Sequence, residues 1–149
     1  MTIALGSDHA GFEFKERVKA WLVAWGHTPV DFGCFNPSPV DYPDFVLPAA
    51  AAVALGRCER GFVFGGSGNG EAMAANKLRG IRCGVGWSLE SVRLTRAHND
   101  ANVLSLGGRL VNPADLEAMA RLFLETTFEG GRHSARIAKL DPLGSAASS

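Results

Sequence analysis

The stretch GFVFGGSGNGE, residues 61–71, predicts a buried strand, a glycine-rich loop and the start of a helix. Gly61–Phe64 is a short apolar run, and the helix after the loop is predicted over Glu71–Leu78. A strand that passes through glycines directly into a helix is typical of parallel α/β proteins. The segments on either side of this stretch repeat the same alternation.

Apolar spacing predicts a strand and a helix in turn along most of the chain. The predicted strands are Thr2–Leu5, Thr28–Phe32, Gly61–Phe64, Arg82–Trp87 and Val103–Leu106. The predicted helices are Phe12–Trp25, Phe45–Leu55, Glu71–Leu78, Ser88–His98 with Ser88 as its cap, Asn112–Phe128 and Ser134–Leu140. We therefore expect one α/β domain over residues 1–143, with a doubly wound, parallel five-stranded sheet and helices on both faces. Residues 144–149 are expected to form a disordered tail.

Composition excludes some classes of function. The 149 residues carry 15 basic and 15 acidic side chains, and a neutral chain lacks the basic field expected of a nucleic-acid binder. The most apolar window, Val46–Leu55, is too short to cross a membrane, and the first residues do not resemble a signal peptide. We expect a cytoplasmic protein with neither a membrane nor a nucleic acid as partner.

The three cysteines, Cys34, Cys58 and Cys83, are widely spaced and form no CxxC pair. Their spacing indicates reduced thiols, and it suggests neither a zinc site nor a redox motif. The sequence therefore predicts a protein without a bound metal ion.

The loop of residues 65–70 is the strongest sign of a binding site. Its glycines allow close approach of a ligand to the backbone, and the following helix start offers N–H groups to an anion or a developing oxyanion. The loop lacks the Gly-Lys-Ser/Thr of a Walker A motif and the spacing of a dinucleotide fingerprint. A tight turn without any ligand is the alternative. Glu71, in the first helical turn, is either a partner of the helix dipole or a general base.

Polar residues at other predicted element ends are further candidates. Asp8 and His9 follow the first strand, at the sheet edge where ligands bind, although Asp8 is also suited to capping a helix. His98 and Asn99 close the fourth helix, where a histidine is either a dipole partner or a proton shuttle.

Arginines near the C-terminus suggest an anion site. Arg132 and Arg136 lie four residues apart and share a face if the segment is helical, which suits a phosphate group. Arg109, after two glycines at the end of the fifth strand, is a third candidate. Each of them is otherwise an ordinary surface charge.

Six motifs in order give the chain a resemblance to a known family. They are Gly6–Gly11, Asp41–Pro43, Gly66–Gly70, Ala74–Lys77, His98–Asp100 and Gly131–His133. Over nearly its whole length the chain resembles the ribose-5-phosphate isomerase B and galactose-6-phosphate isomerase family. The resemblance implies a Rossmann-like domain that forms a homodimer or a dimer of dimers, with sites built across the subunit interface. It also implies a metal-free and cofactor-free reaction on a small phosphorylated sugar through a cis-enediol(ate).

The resemblance implies roles for particular residues. Glu71 would be the base, His98 would act in ring opening, and Ser67 with the loop N–H groups would hold the enediolate oxygen. Substrate-binding residues would be Asp8, His9, Gly66, Gly68, Asn69, Gly70, Asn99, Arg109, Arg132, His133 and Arg136, with the arginines holding phosphate.

One position departs from the common family pattern. Many members carry a cysteine base just before the glycine loop, where this chain has Gly65. The chain instead resembles the branch with Gly-Ser-Gly-Asn-Gly-Glu, and the base role therefore moves to Glu71. Ribose 5-phosphate and ribulose 5-phosphate are the expected substrates. The alternatives are a tetrulose or hexose phosphate, or a phosphosugar-binding module without activity.

Overall fold

Short apolar runs separated by helices form one parallel sheet in the computed structural model, which describes residues 1–148. The strands are β1 (Thr2–Ser7), β2 (Thr28–Asp31), β3 (Arg60–Gly65), β4 (Cys83–Gly86) and β5 (Val103–Gly107). Their order is β2-β1-β3-β5-β4, and every neighbouring pair is parallel. The predicted doubly wound α/β fold with five strands is confirmed.

Within the part of the chain that the structure describes, six helices connect and follow the strands. They are α1 (Phe12–Ala24), α2 (Pro43–Ala54), α3 (Asn69–Ala75), α4 (Leu89–Ala97), α5 (Leu116–Glu125) and α6 (Arg132–Leu140), with a short 3-10 turn at Pro113–Asp115 before α5. None of the helices within residues 1–148 has the length and apolarity that a bilayer span requires.

Alternate residues of each buried strand enter different cores. Phe62 and Phe64 pack under α1 and α5, where Phe123 meets the Phe62 ring edge-on at a centroid distance of 5.1 Å. Val63, between them in sequence, packs on the other face against the alanine-rich helix α2. This period of two follows from the pleat of a strand and explains why β3 is apolar after Arg60.

The ends of several elements differ from the prediction. The helix predicted over Asn112–Phe128 begins as a 3-10 turn, in which Asn112 Oδ1 accepts a hydrogen bond from the Ala114 N–H, and it ends at Glu125. Helix α6 begins at Arg132 rather than at Ser134, after two glycines with positive φ.

The segment predicted as a disordered tail is partly tied to the domain. Ser145 N–H donates to the Lys77 carbonyl, and Arg79 N–H donates to the Ser145 carbonyl. These two bonds place residue 145 beside the turn after α3, and a disordered tail over residues 144–149 stays a prediction. Ser149 lies outside the described residues, and the domain boundary at residue 143 stays a prediction.

The topology indicates that ligands bind at the edge of the sheet formed by the carboxyl ends of β1 and β3. The chain runs from β1 outward to β2 and then returns to the other side of β1 to form β3. The loops after β1 and β3 therefore separate in opposite directions and leave a crevice between them, which is where open α/β sheets bind ligands.

Candidate active site

The glycine loop after β3 is held in place by the end of β5. Ser105, fully buried on β5, donates its hydroxyl to the Gly68 carbonyl at 2.7 Å. Gly108 N–H bonds the Gly65 carbonyl at 2.7 Å, and Arg109 N–H bonds the Gly66 carbonyl at 3.0 Å. Gly68 has a φ of +83°, which a residue with a side chain adopts only with strain. These contacts fix the loop before any ligand arrives.

The Glu71 side chain turns back over the loop and fills the space beside Gly65. Only 3 % of Glu71 is exposed, and a Cβ placed on Gly65 would overlap the Glu71 carboxylate. The absent side chain of Gly65 therefore makes room for the acidic group. This contact connects Gly65, where the sequence departs from the commoner family pattern, with the residue to which the base role moves.

Burial raises the pKa of the Glu71 carboxyl, and the charge of nearby Asp8 raises it further. Interactions of the carboxylate with the N–H groups of Glu71 and Gly68 act in the opposite direction and are weaker than burial. The net result is a carboxyl group that releases its proton at a higher pH than an exposed glutamic acid. A raised pKa of this kind suits a general base that works near neutral pH.

A cavity of about 370 Å³ opens in front of this carboxyl group. Its lining residues are Tyr42, Gly66, Ser67, Gly70, Glu71, Arg109 and Leu110. The cavity thus combines a buried carboxyl group, the glycine loop and a guanidinium group. It has the composition needed to move a proton next to a bound anion.

Tyr42 belongs to this cavity and was given no role by sequence reasoning. A Cβ on Gly70 would lie 2.7 Å from the Tyr42 ring, so the ring packs directly against the loop backbone. The sequence did contain a sign of its importance, because Tyr42 lies in Asp41–Pro43, one of the six family motifs. Its place in the fold, at the start of α2, became clear only from the structure.

Asp8 and His9 lie on the neighbouring loop after β1 but do not line this cavity. Asp8 Oδ1 accepts hydrogen bonds from the N–H groups of Ala10 and Gly11, at 2.9 and 3.0 Å, and so holds the turn that leads into α1 without capping the helix itself. His9 Nδ1 accepts from the Val40 N–H at 3.2 Å and ties the loop before α2 to the loop after β1. Both residues organise the crevice, and their predicted contacts with substrate stay a prediction.

Five other predicted residues lie at the opposite edge of the sheet: His98, Asn99, Arg132, His133 and Arg136. Helix α4 starts just after the carboxyl end of β4 and runs back, so His98 and Asn99 lie next to the amino end of β5. The five residues of β5 separate the two edges by about 15 Å. Helix α6 places Arg132 and Arg136 one turn apart at this second edge, both exposed. Neither guanidinium group has a hydrogen-bond or ion-pair partner within residues 1–148.

Two histidines form a stacked pair at this second edge. The rings of His98 and His133 have centroids 4.3 Å apart and planes inclined by 16°. Burial and the charges of Arg132 and His98 lower the pKa of His133, and the charge of Glu129 opposes them. One chain therefore holds two groups of site residues, one with Glu71 and one with His98, which do not meet.

The cluster of His98, His133 and Glu129 brings three metal-ligating atoms within 4.8 Å, a grouping that sequence spacing did not indicate. A metal ion binds imidazole nitrogen in the plane of the ring. Because the two ring planes are nearly parallel, no point close to both Nε2 atoms lies in both planes. The cluster is thus arranged as a stacked pair beside a carboxylate, and metal binding would require one ring to turn.

Comparisons with known proteins agree with the fold. Residues 3–140 match the model of the Ribose/Galactose Isomerase family. A ribose-5-phosphate isomerase B of Mycolicibacterium paratuberculosis is 43 % identical over 139 residues, which cover 92 % of this chain and 87 % of that protein. The structure of Clostridium thermocellum ribose-5-phosphate isomerase B superimposes with a TM-score of 0.93 at 42 % identity, covering 95 % of this chain and 96 % of the other. That of Mycoplasma genitalium ribose-5-phosphate isomerase B, with bound ribulose-5-phosphate, gives 0.90 at 34 % identity, with coverages of 95 % and 94 %.

Proposed function

Because the chain belongs to the ribose/galactose isomerase family, we propose that it interconverts ribose 5-phosphate and ribulose 5-phosphate with Glu71 as the base. The observation that carries the proposal is the buried Glu71 carboxylate, which lies over Gly65 beside the glycine loop in a cavity of about 370 Å³. The ribulose 5-phosphate bound to the Mycoplasma genitalium relative supports the choice of substrate.

The reaction moves one proton between neighbouring carbons. Glu71 takes the proton from C2 of the open-chain aldose, the electron pair forms a C1=C2 double bond, and the C1 oxygen becomes negative. The loop N–H groups and the Ser67 hydroxyl stabilise that oxygen where its charge develops. Glu71 then returns the proton to C1, while the C2 hydroxyl proton passes to the C1 oxygen and leaves a ketone at C2.

A closed substrate ring must open before this step. We assign ring opening to His98 and binding of the phosphate to Arg132 and Arg136. Their guanidinium groups, one helical turn apart and without a partner in residues 1–148, suit the bidentate contacts that phosphate oxygens accept. All three residues lie at the edge of the sheet away from Glu71, so a complete site needs two edges brought together.

We propose that a second copy of the chain supplies the missing half and that the protein works at least as a homodimer. Apolar side chains beside the Glu71 cavity support this pairing: Trp87 is 76 % exposed and Leu110 is 72 % exposed. Trp87 and Leu110 also line an adjoining cavity of about 360 Å³. Covering these side chains with the partner's His98 edge would bury apolar surface and complete two equivalent sites.

A cytoplasmic location is part of the proposal. Cys34, Cys58 and Cys83 are all free thiols, and two of them are buried. Thiols persist unpaired in reducing compartments, which supports this assignment.

The deciding experiment is an aldose–ketose interconversion assay with phosphorylated sugars of four, five and six carbons. We expect the highest kcat/KM for the five-carbon pair and loss of turnover by about 10²–10⁴-fold in Glu71→Gln. A higher kcat/KM on another chain length would change the substrate and keep the chemistry. No turnover on any of them, with binding retained, would identify the chain as a phosphosugar-binding module.

A further inference from the structure

Glu129 is held at the junction of three helices that surround the histidine pair. It lies between α5 and α6, and its N–H donates to the Ala97 carbonyl at the end of α4, at 2.9 Å. Gly130 and Gly131 follow with φ of +69° and +58°, a conformation that residues with side chains rarely adopt. This turn folds α6 back, so that His133 in its first turn lies over His98.

The Glu129 carboxylate faces both imidazole rings. Its Oε2 lies 3.5 Å from His98 Nε2 and 3.7 Å from His133 Nε2. His133 is 6 % exposed, and its Nε2 is buried without a hydrogen-bond partner within residues 1–148. A carboxylate at this distance is placed to accept a hydrogen bond from either ring N–H after a small movement.

The other charged groups around the His98–His133 pair are either positive or already paired, which leaves Glu129 as the counter-charge. Helix α6 contributes Arg132 and Arg136, whose charges lower the pKa of His133. Helix α4 contributes Arg93 and Glu90, which form a salt bridge with each other at 2.6 Å. Glu129 is therefore the acidic group that faces both Nε2 atoms without forming a salt bridge to an arginine of the described chain.

We propose that Glu129 is a positioning residue for ring opening, which keeps one proton on the His98–His133 pair and directs it to the substrate through His98. The inference rests on the proposed function. The imidazolium of His98 gives its proton to the ring oxygen as the bond from C1 to that oxygen breaks. The neutral imidazole then takes the proton of the C1 hydroxyl, an aldehyde forms, and the histidine ends in its starting state.

The two substrates allow a role of Glu129 in ring opening to be distinguished from a purely structural role. Ribose 5-phosphate is mainly a closed ring, whereas ribulose 5-phosphate stays open because its O5 carries the phosphate and cannot attack C2. Exchange of a C1 proton of ribulose 5-phosphate with heavy water therefore needs Glu71 but no ring opening. Turnover of ribose 5-phosphate needs both steps.

The test compares Glu129→Gln with Glu125→Gln, a control in which an exposed glutamate that contacts Arg121 loses its charge. We expect Glu129→Gln to lower kcat for ribose 5-phosphate by about tenfold or more, within the range for an impaired proton transfer, with KM nearly unchanged. The rate of C1 proton exchange on ribulose 5-phosphate should stay at the wild-type value. The basic limb of the ribose 5-phosphate pH profile should move to lower pH, because the imidazolium loses its counter-charge. Glu129→Asp, which keeps the charge, should recover part of the loss, and Glu125→Gln should behave as wild type.

Two results would overturn the inference while the wild-type protein interconverts the two sugars. One is a Glu129→Gln variant with the wild-type kcat and basic limb for ribose 5-phosphate. The other is an equal loss of ribose 5-phosphate turnover and ribulose 5-phosphate exchange, since that pattern indicates a general disturbance of the fold. A wild-type protein that interconverts neither sugar would instead contradict the proposed function, so the two failures are distinguishable.

Discussion

At the scale of single residues, Gly65 and Glu71 act as one unit, because one supplies the space that the other fills. We expect Gly65→Ala to displace the Glu71 carboxylate and to lower kcat by at least tenfold. The added methyl group should also destabilise the fold by about 1–3 kcal/mol, as overpacking of a filled site does. In a Glu71→Ala background, Gly65→Ala should lower the free energy of unfolding by much less. Urea unfolding of the wild type, the two single variants and the double variant measures this coupling. Equal costs in both backgrounds would mean that the carboxylate does not occupy that space.

The raised pKa of Glu71 makes a second residue-scale prediction. A base must be ionised, so the acid limb of kcat/KM should lie above the range of an exposed glutamic acid. Folding favours the protonated form of this carboxyl group, and its contribution to stability is lost as the pH rises through the raised pKa. Glu71→Gln, which stays neutral, should therefore gain stability over wild type from acidic to neutral pH. Urea unfolding at several pH values tests this, and a constant difference would contradict the raised pKa.

Sequence reasoning selected Glu71 but could not show how it is placed. Spacing put it one residue past the glycine loop, whereas its reach back over Gly65 depends on the left-handed turn at Gly68. Glu129 was not predicted, because it belongs to no motif and meets His98 only when α5 and α6 fold together. Contacts between residues far apart in sequence are the part that local patterns do not contain.

At the scale of elements, helix α6 presents two arginines that have no partner in the described chain. A charge-assisted contact contributes about 1.5–3 kcal/mol, so Arg136→Ala should weaken binding of the phosphorylated sugar by about tenfold or more. Binding of the unphosphorylated sugar should hardly change. Lys139→Ala, which removes another exposed charge from the same helix, is the matched control. Equal losses on both sugars, measured by titration calorimetry, would remove Arg136 from the phosphate site.

The elements themselves were largely predictable, since each buried strand is a short apolar run with glycine or a polar residue after it. Their ends were less so. The glycine loop continues into α3 at Asn69, two residues before the predicted start, because Gly68 already provides the turn. Ser145, at the start of the tail, forms backbone hydrogen bonds with Lys77 and Arg79 that the composition of the tail does not predict.

At the scale of the whole molecule, the division of the site between two edges predicts complementation. Glu71→Gln and His98→Ala should each be nearly inactive alone. Mixed under conditions that exchange subunits, they should recover about a quarter of wild-type turnover, because half of the dimers then contain one intact site of two. Recovery that depends on subunit exchange would support the shared site. Mixtures that stay inactive although light scattering shows exchanged dimers would contradict it.

Metal dependence is also a property of the whole assembly. The nearly parallel rings of His98 and His133 do not offer a common point to an ion, and the proposed chemistry uses only a carboxylate, N–H groups and an imidazole. Exhaustive chelation should therefore leave turnover unchanged, and added zinc should not raise it. Loss of activity with EDTA that zinc or manganese restores would contradict the assignment of the base.

The overlap between a residue-65 side chain and the Glu71 carboxylate has a consequence for the history of the family. A lineage could replace a cysteine base at position 65 by a glutamate base at position 71. An intermediate protein that carries both residues would have a steric clash between them. The alternative order, in which the cysteine is lost first, passes through an ancestor with no base. We expect either single step to lower turnover, so the exchange should be rare, and descendants should keep whichever pair of residues they inherited. Reconstructed ancestors with mixed pairs should therefore be poor enzymes.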